Sequence, residues 1–397
     1  MRIKGKRLAV IAVSLVLGFT GWISPALGEG NAQAMNGLQL VEPELVTEID
    51  LCASRLQVLP LEDGTFLLGG ESNDRKDGPL ALAICVDADG VEQWRFTQLL
   101  EGKYSNVFLE LFALENDTLG LVLASNGEDQ CQFLFLRDGE VLKRVEIASD
   151  LNNQLFQVND RILCCSKEAF VYYDEAMTYR SLTCYDSEMN QQWSVSYDIP
   201  FDLRQIIPVA DGYLLFGTLQ GLTQAETLTY QGFVGKVDAS GVLQWYVETE
   251  ETNLRYWNAL QLEDGSYVAM GVCTDPAEHH SLHLTRYDEN LNEVEVKHTA
   301  IHSRLSGELS NMLPVPGGFL LACGDEPESG MLTLLAFDNA CNLVDSVSFS
   351  TGVESMNTCS LRASDQGIFL FVSGFRHTAI MEPVTWKTLM YKLSSIP

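Results

Sequence analysis

A period of about 50 residues runs along this chain, and it limits the fold more sharply than any other feature. Two independent markers carry it. The first is a tight-turn pair followed by an apolar run: "EDGTFLLGG" with its turn at Asp63, "ENDTLGLVL" at Asn116, "VNDRILCC" at Asn159, "ADGYLLFG" at Asp211, "EDGSYVAMG" at Asp264, "PGGFLLACG" at Gly317 and "DQGIFLFVSG" at Gln366. Residues that tolerate positive φ at such turns suit hairpins between adjacent strands. The second marker is an apolar segment ending in Asp, a turn and a further segment, at Asp87, Asp138, Asp186, Asp238, Asp288 and Asp338. Three copies place a tryptophan seven residues after the Asp, at Trp94, Trp193 and Trp245.

Each period contains four strand-like segments, such as 206–209, 212–217, 232–238 and 242–248 in the fourth copy, and no helical period follows residue 28. Four antiparallel strands repeated seven times predict an all-β chain, a seven-bladed β-propeller. The seventh copy runs out at "TLMYKLSSIP", where a third strand finishes, so its fourth strand must come from elsewhere. Each tryptophan precedes the next turn marker by 22, 18 or 19 residues, and counting 19 back from Asp63 reaches Glu44 in "PELVTEIDL". An N-terminal strand from Glu44 to Asp50 is therefore expected to join the last blade and close the ring, removing two raw sheet edges. The three tryptophans are expected in equivalent outer-strand positions, packed between blades, with Trp245→Ala costing about 3–5 kcal/mol.

Residues 1–28 read as a secretory signal peptide, in which basic "MRIKGKR" precedes apolar "LAVIAVSLVLGFTGWI" and then Pro25, Ala26 and Gly28. A second cut is available after Ala34, and retention as an anchor is the alternative, because the apolar run is only a little short of a span. Residues 29–43 form a short linker and 44–397 a single propeller domain. Export implies a secreted or cell-surface protein with no membrane span once the signal is cleaved. Losing residues 1–28 removes four basic side chains and no acidic one, taking the net charge from −29 to −33. Such a field repels phosphate backbones, which argues against nucleic acid as a partner, and disfavours an anionic membrane surface. Ten cysteines would permit five disulfides, but Cys85, Cys184, Cys273 and Cys323 lie inside apolar runs, where cysteine acts as a small hydrophobe. Two bridges at most are expected.

The D-G turns, "LLFG", "GKVDASG" and "LQW" together resemble the tandem propeller repeats of exported bacterial proteins, which are related in pattern to propellers of the pyrroloquinoline-quinone type. The resemblance covers roughly residues 44–397 and rests on turn and packing motifs, so it speaks to fold and hardly to function. Such proteins often scaffold or bind partners. Some quinone-dependent dehydrogenases of this class set a vicinal disulfide against the cofactor, and Cys164 and Cys165 are adjacent here. That pair falls in a strand, "DRILCCSKE", where consecutive side chains point to opposite faces. The acidic and tryptophan-docking pattern of those enzymes is absent too. Cys164 and Cys165 are therefore expected to be buried and not joined to each other, and no cofactor is implied.

"DPAEHHSLH" gathers Glu278, His279, His280 and His283. His280 and His283 could share a metal if the loop curled, but Zn²⁺ wants three or four ligands and no supporting spacing backs them. No metal is assigned. "DADG" at Asp87 superficially matches a calcium loop but lacks the distal ligands, and a turn explains it. The chain has no nucleophile elbow, phosphate loop or dinucleotide fingerprint.

In a four-stranded blade, the turns joining first to second and third to fourth strands share one rim. Here they are short and repetitive. The opposite rim carries longer segments that differ in every blade: "SKEAFVYYDEAMTY" (166–179), "TLQGLTQAETLTY" (218–230) and "GFRHTAIMEPVTW" (374–386). Variable loops on a rigid scaffold are where binding usually resides. These carry Tyr172, Tyr173, Tyr230 and Trp386, with Trp257 at the start of an inner strand, and aromatics beside acids suit a glycan or a protein surface. The sequence thus predicts an exported, monomeric, non-catalytic binding or scaffolding propeller whose partner is a glycan or protein. The alternative is an extracellular carbohydrate lyase or hydrolase using carboxylates in the central funnel.

Overall fold

The computed structural model describes residues 39–393 apart from 72–79, 100–105, 116, 126–129, 149–153, 169–178, 223–227, 252, 275–279, 301–309, 325–329 and 377–384. Strands β1–β28 form seven four-stranded antiparallel sheets. Blades 1 to 6 are β2–β5 (Cys52–Leu99), β6–β9 (Asn106–Ala148), β10–β13 (Gln154–Tyr197), β14–β17 (Phe201–Glu248), β18–β21 (Leu254–Ala300) and β22–β25 (Ser310–Ser350). Blade 7 joins β26 (Ser355–Ser364), β27 (Gly367–Arg376) and β28 (Thr385–Lys392) to β1 (Glu44–Ile49). The first strand of each blade contacts the first strand of the next, all the way round. Among the described residues no helix is long and apolar enough to cross a membrane.

Both faces of every blade are covered by neighbours, so inner strands need not alternate apolar and polar side chains. The second strand of blade 6, "GFLLACG" (Gly318–Gly324), is buried throughout. Seven apolar clusters result, one between each pair of adjacent blades. Between blades 7 and 1, Phe66 packs edge-on against Phe369 at 4.9 Å and Phe371 at 5.2 Å. Burying each such ring contributes roughly 2–3 kcal/mol.

The ring closes as the spacing predicted. β1 pairs antiparallel with β28, Glu44 opposite Lys392 and Ile49 opposite Thr388. The Thr388 hydroxyl donates to the Leu51 carbonyl at 3.0 Å.

The recurring aspartates hold the turns between third and fourth strands. At Asp238, the Ser240 and Val242 amides donate to Oδ1 at 2.9 and 3.0 Å, and the Gln244 side chain donates to Oδ2 at 2.9 Å. Gln93 and Gln192 do the same for Asp87 and Asp186, which accounts for the glutamine before each tryptophan. The Ser240 hydroxyl donates to the same Oδ1 at 2.7 Å, so hydrogen bonds within the turn account for the aspartate. Trp94, Trp193 and Trp245 lie opposite Cys85, Cys184 and Lys236 in outer strands and pack between blades, but all three are only half-buried.

One further sequence reading needs adjustment, while the expectation for the adjacent cysteines agrees with the strand. Strands reach further towards the variable rim than the turn markers indicated, because hairpin pairing continues past the blade core. β15 (Gly212–Leu222) pairs with β16 (Leu228–Asp238) along their whole length, so most of 218–230 is strand. Residues 166–168, 179, 374–376 and 385–386 are strand as well. Cys164 and Cys165 on β11 (Arg161–Glu168) are buried in different clusters, Cys164 between blades 2 and 3 and Cys165 between blades 3 and 4.

Candidate functional site

The first strands of blades 4 and 5, β14 (Phe201–Val209) and β18 (Leu254–Gln261), begin at the variable rim. Each slips register near its start, between Leu203 and Gln205 and between Tyr256 and Asn258. The extra residues are Arg204 and Trp257. A bulge re-aims a side chain out of the alternating pattern, and here two bulges bring their side chains together. The Arg204 guanidinium lies over the Trp257 ring at 4.6 Å. Beside them Arg255 covers the ring of Tyr230 at 3.6 Å, with Tyr230 paired to Gln220 across β16 and β15. Together with Asp202, Thr218 and Tyr256 these residues line a cavity of about 160 Å³.

The cavity is locally cationic within a chain of net charge −29. Asp202 accepts a hydrogen bond from Arg204 at 2.7 Å and lies 3.6 Å from Arg180 of blade 3. Arg180 is 4% exposed and its Nε has no hydrogen-bond partner. Burial pushes its pKa down, and the nearby Asp202 carboxylate opposes that shift; a guanidinium stays charged regardless. Two guanidiniums, Arg204 and Arg180, thus flank one carboxylate, and a third, Arg255, lines the same cavity. A guanidinium stacked flat on a ring keeps its N–H edges available for a planar anion. The Trp257 indole N–H is buried and unpartnered as well.

A second cavity of about 390 Å³ lies along the inner strands and includes Gln57, Glu110, Gln157, Arg204 and Arg362. Arg204 belongs to both linings. Each lining carries one carboxylate, Asp202 in the first and Glu110 in the second. Among the described residues neither lining presents the pair of acids that glycoside hydrolysis uses.

Of the residues singled out from the sequence, the structure brings Tyr230 and Trp257 to one cavity. Tyr172 and Tyr173 fall outside the described residues. Trp386 is on β28 opposite Phe375, and its side chain falls outside them too. Glu278 and His279 lie outside, while His283 is buried in blade 5 and faces His298. Burial, with His298 adding to it, holds the His283 pKa down to about 4. The arginines and Asp202 were not anticipated. A signal was present: Leu-Arg opens the first strand in both adjacent repeats, as "DLRQ" and "NLRYW", in a chain with only 25 basic residues.

No family model matches the chain, and no curated protein does. Among solved structures the chain is similar to puromycin hydrolase, at 12% identity and a TM-score of 0.55, covering 91% of this chain and 56% of that one. It is also similar to the β-propeller domain of the Trilobed protease from Pyrococcus furiosus, at 8% identity and a TM-score of 0.50, covering 87% and 96%. A europium-containing methanol dehydrogenase follows at 10% identity and a TM-score of 0.46, covering 92% and 95%. At these identities the likeness establishes the propeller fold alone.

Proposed function

We propose that this protein is an exported, non-catalytic binding propeller that takes an anionic ligand, a carboxylate-bearing saccharide, on the variable rim between blades 4 and 5. One observation carries the reading: Arg204 and Arg255 are each stacked on an aromatic ring at the wall of one cavity, with Arg180 behind them and Asp202 as the single acid. A planar carboxylate fits such paired N–H edges, while Thr218, Gln220 and the indole N–H of Trp257 offer hydrogen bonds to hydroxyl groups. At about 160 Å³ the cavity admits one terminal group and leaves the rest of the ligand on the rim. The single carboxylate in each cavity lining favours binding over hydrolysis.

The test is equilibrium titration of the mature chain with oligomers of a uronic acid and with neutral glucose oligomers of equal length, followed by tryptophan fluorescence. Acidic oligomers should bind, with affinity falling as salt rises. Arg255→Ala, at an exposed position, should weaken them about tenfold or more while circular dichroism is unchanged. Equal affinity for neutral oligomers, or full affinity in Arg255→Ala, would rule this reading out.

A further inference from the structure

Blade 5 contains a second constellation, separate from the arginines. His283 on β20 (His280–Tyr287) and His298 on β21 (Glu293–Ala300) are directly opposed across the two strands, and their rings meet edge-to-face at 4.8 Å. Glu251, in the segment between blades 4 and 5, reaches over them. One of its carboxylate oxygens lies 3.7 Å from His283 Nδ1 and 3.6 Å from His298 Nε2, and the three ligand atoms lie within 4.8 Å of one another. We propose that Glu251, His283 and His298 bind a divalent transition-metal ion, Zn²⁺ by preference.

The distances suit a metal better than they suit hydrogen bonds. At 3.6–3.7 Å the carboxylate is too far from either ring nitrogen for a hydrogen bond. Bonds of about 2.1 Å from zinc to nitrogen and oxygen set tetrahedral edges of roughly 3.4 Å. Both carboxylate–imidazole edges are close to that length. The third edge closes by rotation of His298, whose side chain is 45% exposed.

An independent observation points the same way. His283 is 1% exposed, yet its Nδ1 has no hydrogen-bond partner, and an unsatisfied buried nitrogen costs about 1–3 kcal/mol. The other ring nitrogen is engaged: Nε2 lies 2.8 Å from the Thr285 hydroxyl, which accepts from Tyr256 at 2.7 Å, and Tyr256 in turn lies 3.0 Å from the Tyr287 hydroxyl. With Nε2–H donating to Thr285, Nδ1 presents its lone pair towards Glu251. A ligating histidine normally anchors its remote N–H in this way. The Cys273 thiol donates to the second oxygen of Glu251 at 3.8 Å, orienting the carboxylate. Two imidazoles and one carboxylate select zinc over calcium or magnesium, which prefer oxygen alone. The set leaves a fourth position for water or a ligand atom, on the exposed side of His298 and Glu251. A bound ion would fasten the segment carrying Glu251 to the outer half of blade 5.

Chelator-treated mature protein titrated with zinc chloride should take up one Zn²⁺ per chain. His298→Ala and Glu251→Gln should each weaken that uptake about tenfold or more, with circular dichroism unchanged because both side chains are partly exposed. Lys297→Ala, on the opposite face of the strand, should bind zinc like the parent. In the unaltered protein, histidine ¹⁵N spectra should show one Nδ1 and one Nε2 resonance shifting on zinc addition. Absence of stoichiometric uptake, unchanged uptake in both variants, or ¹⁵N shifts at neither nitrogen would each overturn the site.

Discussion

The tryptophan of one blade presses on the turn of the next, and residue size at the two positions is matched. An added Cβ at Gly241 would lie 2.4 Å from the ring of Trp193, and one at Gly139 would lie 3.3 Å from Trp94. Where the outer strand of blade 2 places Lys143 instead, opposite Phe135, its Nζ donates to the Glu188 carbonyl of the following turn at 3.1 Å, and that turn carries Met189, buried although its φ is +67°. Cys341 occupies the equivalent turn position in blade 6 at φ +57°, 2% exposed. Burial of these side chains offsets the roughly 1–2 kcal/mol of a left-handed backbone. The pair of Trp245 and Leu291 is large on both sides and departs from the pattern. Two glycines separate backbone strain from steric overlap. Gly241→Ala, at φ +83° against Trp193, should cost about 2–4 kcal/mol. Gly265→Ala, at φ +81° with no atom within 4 Å, should cost only about 1 kcal/mol. Urea unfolding of the two variants measures both. Because Trp245 is half-buried, its replacement by Ala should cost nearer 1–2 kcal/mol than the 3–5 expected of a core ring.

At the level of strands, the pleat decides what neighbouring residues can do. Cys164 and Cys165 face different blade interfaces, so a bond between them would require β11 to break its alternation. Peptide mapping of the non-reduced protein should recover no Cys164–Cys165 linkage, and a vicinal bridge there would contradict the strand as described. Bulges are the second device at this scale. In blades 1 to 6 the third and fourth strands slip register just inside the Asp turn, which the repeated spacing already encodes. The slips at Arg204 and Trp257 are marked only on the facing strand, by Gly217 opposite Leu203 and Gly271 opposite Tyr256. Neither slip itself contains glycine, and both break the alternation from which a strand's inward face is read. This is why the blades, their number and their order could be read from turn residues, whereas the cationic cavity could not. Tyr230 and Trp257 were accessible as aromatics near a variable rim. Their arginine partners became visible only once two bulges had been placed side by side. His283 and His298 are 15 positions apart in sequence, and only the hairpin register sets them opposite each other.

For the molecule as a whole, seven similar interfaces must close on themselves, and the one between blades 7 and 1 depends on segments from both ends of the described chain. Arg362 reinforces it: its Nε donates to the Val58 carbonyl of blade 1 at 2.6 Å and its Nη1 to Asn311 of blade 6 at 3.3 Å. One side chain therefore links three blades. β1 covers the outer edge of β28, where Leu389, Tyr391 and Leu393 are buried. Deleting residues 36–50 should lower the midpoint of thermal unfolding, broaden the transition and raise light scattering as that edge becomes available for intermolecular pairing. Deleting residues 29–35 should leave all three unchanged. A sharp, unshifted transition in the longer deletion would mean that blade 7 does not need its fourth strand.

Glu44 faces Lys392 at one end of the β1–β28 pair, and Ile49 faces Thr388 towards the other. The chain therefore enters and leaves this sheet at the same corner. Tension applied between positions 44 and 392 would act along the inter-strand hydrogen bonds, which run perpendicular to the strands, and load them one at a time. Strands pulled from opposite ends would share the load in shear; these would peel. The joint that seals the ring against heat and solvent is also the one that a mechanical pull opens first.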